Sequence, residues 1–133
     1  MSQLTQNIWR YEITCKCGDC DLDTIDHEIV EIWQDICDYF THKYRGIRAV
    51  LDISSGCRCP SHNHNVRGYK NSQHLYGKAI DGSIVIKFPD GVYTPVTSLE
   101  IYEYVGAKFP NSLGLGIYDK FVHIDCREKR ARW

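Results

Sequence analysis

Between Ile25 and Phe40 the apolar residues Ile25, Ile29, Ile32, Trp33, Ile36 and Phe40 recur at the 3.6-residue period of a helix, and the segments that follow change period. Ile47 to Ile53 alternates as a strand does, and the polar Ser54-Ser55-Gly56 ends it. Either Asp23 or Thr24 can cap the helix. Lys78 to Phe88 reads as a second strand, and Pro89-Asp90-Gly91 is a turn able to return it as a hairpin toward Val92-Tyr93. Ser98 can cap a second helix over Leu99 to Phe109, closed by Pro110-Asn111, before strands at Gly114 to Tyr118 and Phe121 to Cys126. A helix, strands, a helix and strands with short links predict an α+β domain, helices packed on a mostly antiparallel sheet. With 133 residues and no linker or repeat, one domain over residues 1–133 is expected.

Apolar residues make up 43% of the chain and charged residues 25%, which excludes a disordered tail, and no apolar run reaches the ~18 residues of a membrane span. The polar start, Met1-Ser2-Gln3-Leu4-Thr5-Gln6, has no apolar stretch behind a basic end, so no secretory signal is expected. From Asp19 to Asp38 there are eight acids and no Lys or Arg, which reads as the wet side of the first helix. The compensating charge gathers in Arg127-Glu128-Lys129-Arg130-Ala131-Arg132-Trp133. That tail reads as a solvated end that aids solubility, or as a contact for polyanions.

Seven cysteines without a secretory signal point to thiols or metal ligands rather than disulfides. Cys37 and Cys126 stand alone and read as buried small hydrophobes. Cys15, Cys17 and Cys20 cluster near the start, and with Cys59 they could form a structural zinc site.

Three further residues can bind a metal: His74, Asp81 seven positions on, and His123 at the start of His123-Ile124-Asp125. Two imidazoles and a carboxylate leave a fourth tetrahedral position open, the arrangement of a catalytic zinc. Residues two apart in a strand share a face, so His123 and Asp125 are expected to point into one cleft.

Three stretches carry a resemblance: Ser54-Ser55-Gly56-Cys57-Arg58-Cys59-Pro60; Asn71 to Asp81, reading Asn-Ser-Gln-His-Leu-Tyr-Gly-Lys-Ala-Ile-Asp; and Gly114-Leu115-Gly116-Ile117-Tyr118 leading to Phe121-Val122-His123-Ile124-Asp125. In this order they resemble the zinc D-alanyl-D-alanine carboxypeptidase family, which includes murein D,D-peptidases and phage endolysins and shares its fold with the hedgehog signalling domain. The opening Cys15-Lys16-Cys17-Gly18 and closing Arg130-Ala131-Arg132-Trp133 also look like its small members. The resemblance implies Zn2+ on His74, Asp81 and His123, and metal-assisted hydrolysis of a murein peptide. It also implies that Arg58 contacts the substrate carboxylate or the developing oxyanion, and that Ser72 and Gln73 line the peptide cleft.

The chain departs from the family pattern at Cys57, where Tyr is usual, at Arg67, where a second Gly often precedes Gly68, and at Lys120, where many relatives carry an acid. A general base must then come from elsewhere: Asp125 is the first candidate, Asp119 the second, and Asp125 has the alternative task of orienting a ligand histidine. A monomeric murein peptidase is expected, with no membrane or nucleic-acid partner, made in the cytoplasm and reaching the wall after release, as a phage or prophage lysin or a virion component does. One rival reading is a non-catalytic zinc-containing binding module of the same fold, such as a phage structural component. Another is a small Cys-rich nucleic-acid binder, against which the acid run argues.

Overall fold

The computed structural model describes residues 2–133, so Met1 lies outside the described residues. The chain opens with a short antiparallel pair, β1 (Gln3–Thr5) and β2 (Ile8–Trp9), and one helical turn, α1 (Arg10–Ile13). The long helix α2 spans His27–Tyr44 and starts later than the Asp23 or Thr24 cap expected from the sequence. Asp26 is the cap, its side chain accepting from Glu28 N at 2.9 Å. Tertiary contacts hold the preceding residues extended: Asp26 N donates to Gly77 O at 2.7 Å, and Gly77 packs so closely on the Thr24 carbonyl that a Cβ would collide with it. Ile25 thereby lies in the extended segment beside Gly77, packed against the core, and not on a helical turn. Glu28, Glu31 and Asp38 are exposed on the outer face of α2.

β3 (Arg48–Ser55) runs antiparallel to β4 (Ala79–Lys87), the central strand. On its other edge β4 pairs with β7 (Val122–Asp125) at one end and with β5 (Tyr93–Val96) at the other. β6 (Gly114–Ile117) lies outside β7, and β8 (Ala131–Arg132) pairs with β6 in parallel. The result is a six-stranded sheet of order β3-β4-β7-β6-β8 with β5 on β4. It is α+β and antiparallel save for the last pair. The expected strands and the hairpin through Pro89-Asp90-Gly91 are present with ends moved by a residue or two, and β1, β2 and β8 are strands that periodicity did not show.

α2 lies over β3 and β4. Trp33, Ile36, Ile80, Ile84 and Ile86 are among the fully buried side chains between them, and Trp33 Nε1 donates to the Ile80 carbonyl at 3.3 Å. The second long helix, α4 (Ser98–Lys108), is capped by Thr97 rather than Ser98, because Glu100 at the third helical position closes a capping box with Thr97. Tyr104 of α4 stacks on Tyr39 of α2, ring centroids 3.9 Å apart, and its hydroxyl donates to Asp35 at 2.8 Å. Asp35, read as a solvated acid, thus joins the two helices, with Lys108 Nζ 2.6 Å from it.

The basic tail is built into the sheet. Arg132 donates to the carbonyls of Phe109, Ser112 and Leu113 at 2.8 to 3.0 Å, and Trp133 N donates to Leu115 O at 3.1 Å. The carbonyls of Phe109 and Ser112 lie outside the strand ladder and take their donors from the guanidinium, which adds a second donor to Leu113 O beside Ala131 N at 3.0 Å. This corrects the solvated reading for Arg132, whereas Glu128, Lys129 and Arg130 are exposed as that reading has them.

Candidate metal centre

The sheet register brings two of the three ligand candidates together. Asp81 on β4 and His123 on β7 are direct cross-strand partners, with His123 Nδ1 2.8 Å from Asp81 Oδ1. His74 comes from a 3-10 turn over Gln73–Tyr76, capped by Ser72, whose hydroxyl accepts from His74 N at 3.2 Å. Its Nε2 lies 3.2 Å from Asp81 Oδ2. All three residues are buried, and their candidate ligand atoms lie within 4.8 Å of one another.

The hydrogen bonds assign the ring nitrogens. His74 Nδ1 is 2.6 Å from the carbonyl of Gly56, which can only accept, so the proton sits there and Nε2 offers its lone pair to the cluster. That Nε2 is buried and makes no hydrogen bond, despite its short distance to Asp81. His123 Nε2 faces Asp125 Oδ2 at 2.7 Å, which leaves Nδ1 turned toward Asp81. Two imidazole nitrogens converging on a carboxylate are stable with a cation between them, so the donor set fits a divalent metal of zinc's preferences. Burial opposes the charged form of His123, but the hydrogen bonds that Asp125 and Asp81 accept from the ring outweigh it and raise its pKa. Burial likewise pushes Asp81 up, and the hydrogen bond with His123 together with the electrostatic pull of the two imidazoles holds it at about 2.

Asp125 sits behind His123 and is fully buried. Its Oδ1 accepts from Gly114 N at 3.1 Å and from Arg127 Nε at 2.7 Å, and its Oδ2 accepts from Arg127 Nη2 at 2.7 Å besides facing His123. Against the burial that would raise it, the His123 and Arg127 hydrogen bonds hold this carboxyl well below the usual range. Asp125 shares the strand face with His123 as expected, but no free lone pair looks into the cleft. Asp119 is exposed on the turn between β6 and β7 and is not part of the cleft wall, as is Lys120.

Arg58 is largely buried, its side chain 14% exposed, and it is held rather than free. Its Nε donates to Ser55 Oγ at 3.0 Å and its Nη1 to Asn63 Oδ1 at 3.2 Å, leaving Nη2 3.6 Å from Asp81 Oδ2. Asn63 is itself buried and donates to the Tyr69 carbonyl at 2.9 Å. Around these groups opens a cleft of about 720 Å³ whose wall includes Ser72, Gln73, Tyr69, Tyr118, Phe121 and Trp133. Arg58, Arg67, Lys70 and Arg127 also line it, and Asp81 is the one acid. Arg67 holds φ at 59°, the left-handed region that favours glycine, which gives a physical reason for glycine at this position in relatives.

Sequence reasoning missed Arg127, Asn63, Trp133 and the Gly56 carbonyl. Arg127 had a signal: it stands two residues beyond Asp125, as Asp125 stands beyond His123. The Gly56 carbonyl had none, since a backbone group leaves no trace in residue type. Gly56 is nevertheless required, because a Cβ there would meet Ile13 Cα at 2.6 Å and Ile13 O at 2.7 Å. Those backbone atoms are fixed by the bond from Cys57 N to Ile13 O at 2.8 Å. Gly56→Ala is expected to destabilise the fold by about 1–3 kcal/mol in urea denaturation and to weaken zinc binding by displacing the His74 acceptor.

The sequence model of the Peptidase M15 family matches residues 6–125, a span that holds His74, Asp81, His123, Arg58 and Asp125. Comparison with curated proteins and with solved structures finds no match. A match over most of the chain, on a fold that draws these ligands into one buried cluster, places this protein in the M15 family of zinc peptidases.

Proposed function

We propose that the protein hydrolyses peptide bonds in bacterial murein peptides, with His74, Asp81 and His123 holding zinc and Arg58 binding substrate. The observation that carries this reading is the charge of the cleft: four cationic side chains surround a metal centre whose own carboxylate is the one acid in the wall. Murein stem peptides are rich in carboxylates, and such a wall favours them over neutral chains.

When bound, zinc supplies a water of near-neutral pKa and a charge that polarises the scissile carbonyl. The chain's own residues do the rest. The Arg58 fork, preset by Ser55 and Asn63, holds a substrate carboxylate or the oxygen that gains charge as the carbonyl is attacked. Asp125 fixes the tautomer and direction of His123 and is a positioning residue, in place of the proton acceptor expected first from the sequence. Ser72 spends its hydroxyl on capping the turn of His74, so its contribution to substrate binding comes through that turn.

Asp125→Asn separates the two tasks. A positioning role predicts a loss of about 10–100-fold in zinc affinity or activity with the shape of the pH–rate profile kept. A base predicts unchanged zinc affinity, a fall of about 10²–10⁴-fold and loss of the acid limb. For the substrate, Arg58→Lys keeps the charge but loses the fork. It is expected to lower kcat/KM on murein peptides ending in a free carboxylate far more than on their amidated forms, as followed by release of new amines. Equal losses on both forms would remove the carboxylate contact from the account.

A further inference from the structure

A second cluster lies outside the cleft. Cys15, Cys17, Cys20 and Cys59 place four sulfurs within 4.8 Å of one another. The first three come from the turn after α1, which the Cys15 N to Leu22 O bond at 2.8 Å closes into a knuckle. Cys59 arrives from the far side of the sequence as the residue capping the short helix α3 (Pro60–Asn65). A tetrahedral ion with bonds of about 2.3 Å to sulfur sets neighbouring sulfurs about 3.8 Å apart. Cys17 Sγ and Cys20 Sγ lie 3.4 Å apart, close to that edge and far from a disulfide bond, and all seven cysteines are free.

The surroundings are those of thiolates. Three backbone N–H groups point at three different sulfurs: Cys59 N at Cys15 Sγ at 3.3 Å, Asp19 N at Cys17 Sγ at 3.3 Å, and His62 N at Cys59 Sγ at 3.4 Å. Such donors stabilise negative sulfur and fix its direction, the task outer hydrogen bonds perform in metal sites. We infer that Cys15, Cys17, Cys20 and Cys59 hold a structural zinc ion, independent of the centre in the cleft. Binding exchanges the thiol protons to solvent for four Zn–S bonds, so the site is closed to substrate and weakens as pH falls.

Its place in the fold gives it a purpose. Cys59 follows Arg58, and Arg58 N donates to the His74 carbonyl at 3.0 Å. Cys57 N is bonded to Ile13 O at 2.8 Å. The ion therefore ties the N-terminal turn to the loop that carries Arg58 and the Gly56 acceptor of His74.

Metal analysis of the full chain, purified in reductant with zinc present, is expected to find two zinc ions per chain, and one in the His74→Ala/His123→Ala variant. Loaded with cobalt, that variant should show the intense thiolate-to-metal band in the near ultraviolet and lose it on adding Cys17→Ser. Where a variant does not fold, the cobalt-loaded unmodified protein serves, because the centre in the cleft has no sulfur to give that band. One zinc per chain that vanishes with the two histidines, a cobalt protein without the thiolate band, or a Cys17–Cys20 disulfide in peptide maps of the reduced preparation would each overturn the inference.

Discussion

His74→Ala is expected to remove the zinc held in the cleft and to lower peptide hydrolysis by at least ~10³-fold, the loss of several kcal/mol of metal-derived stabilisation at about 1.4 kcal/mol per factor of ten. The fold should survive, because His74 sits on a short turn whose cap is the Ser72 hydroxyl and the main chain rather than the imidazole. His123→Ala should remove the metal equally but disturb more. It leaves Asp125 buried against Arg127 with an empty space in front, where the ring had filled the gap toward Trp133, 5.1 Å away between centroids. Zinc content and circular dichroism of the two variants check both statements. Full zinc in His74→Ala would exclude His74 as a ligand.

The second large effect concerns the core. Trp33→Ala should destabilise the protein by about 3–5 kcal/mol, since it empties the largest fully buried side chain and leaves the space above Gly82 open. Against a typical stability of about 5–15 kcal/mol this is a large fraction, readable as a drop in the urea midpoint. Because α2 also anchors Gly77 and so the His74 turn, zinc affinity should fall with stability. A variant with an unchanged midpoint would mean that α2 is not packed on β3 and β4 as described.

What could be read from the sequence follows the reach of each signal. The helix over Ile29 to Phe40 and the strand β3 announce themselves by period, because each buries one face, whereas β4, β6 and β7, buried on both faces over much of their length, read as short runs bounded by turn residues. The start of α2 does not, because Thr24 to Asp26 are held against Gly77, far along the chain, and no local pattern encodes that partner. The same limit hid part of the tail: Arg127 and Arg132 look like solvated charge until Asp125 and the open carbonyls of Phe109 and Ser112 are brought beside them. In the metal centre, residue type and spacing named His74, Asp81 and His123, and the register that sets Asp81 opposite His123 gathers them. The strand face alone did not separate the two tasks open to Asp125. Being on the side of His123 is common to a base and to an orienting partner, and the difference lies in which ring nitrogen it meets.

The central claim is that this metal centre cuts murein peptides. Mass spectrometry of purified murein fragments, incubated with the zinc-loaded protein and in parallel with His123→Ala, tests it most directly. The account predicts paired products that together weigh one water more than the fragment consumed, formed by the unmodified protein and not by the variant. Intact fragments in both incubations, with zinc bound in the unmodified protein, would contradict it and favour the reading of the fold as a zinc-containing binding module.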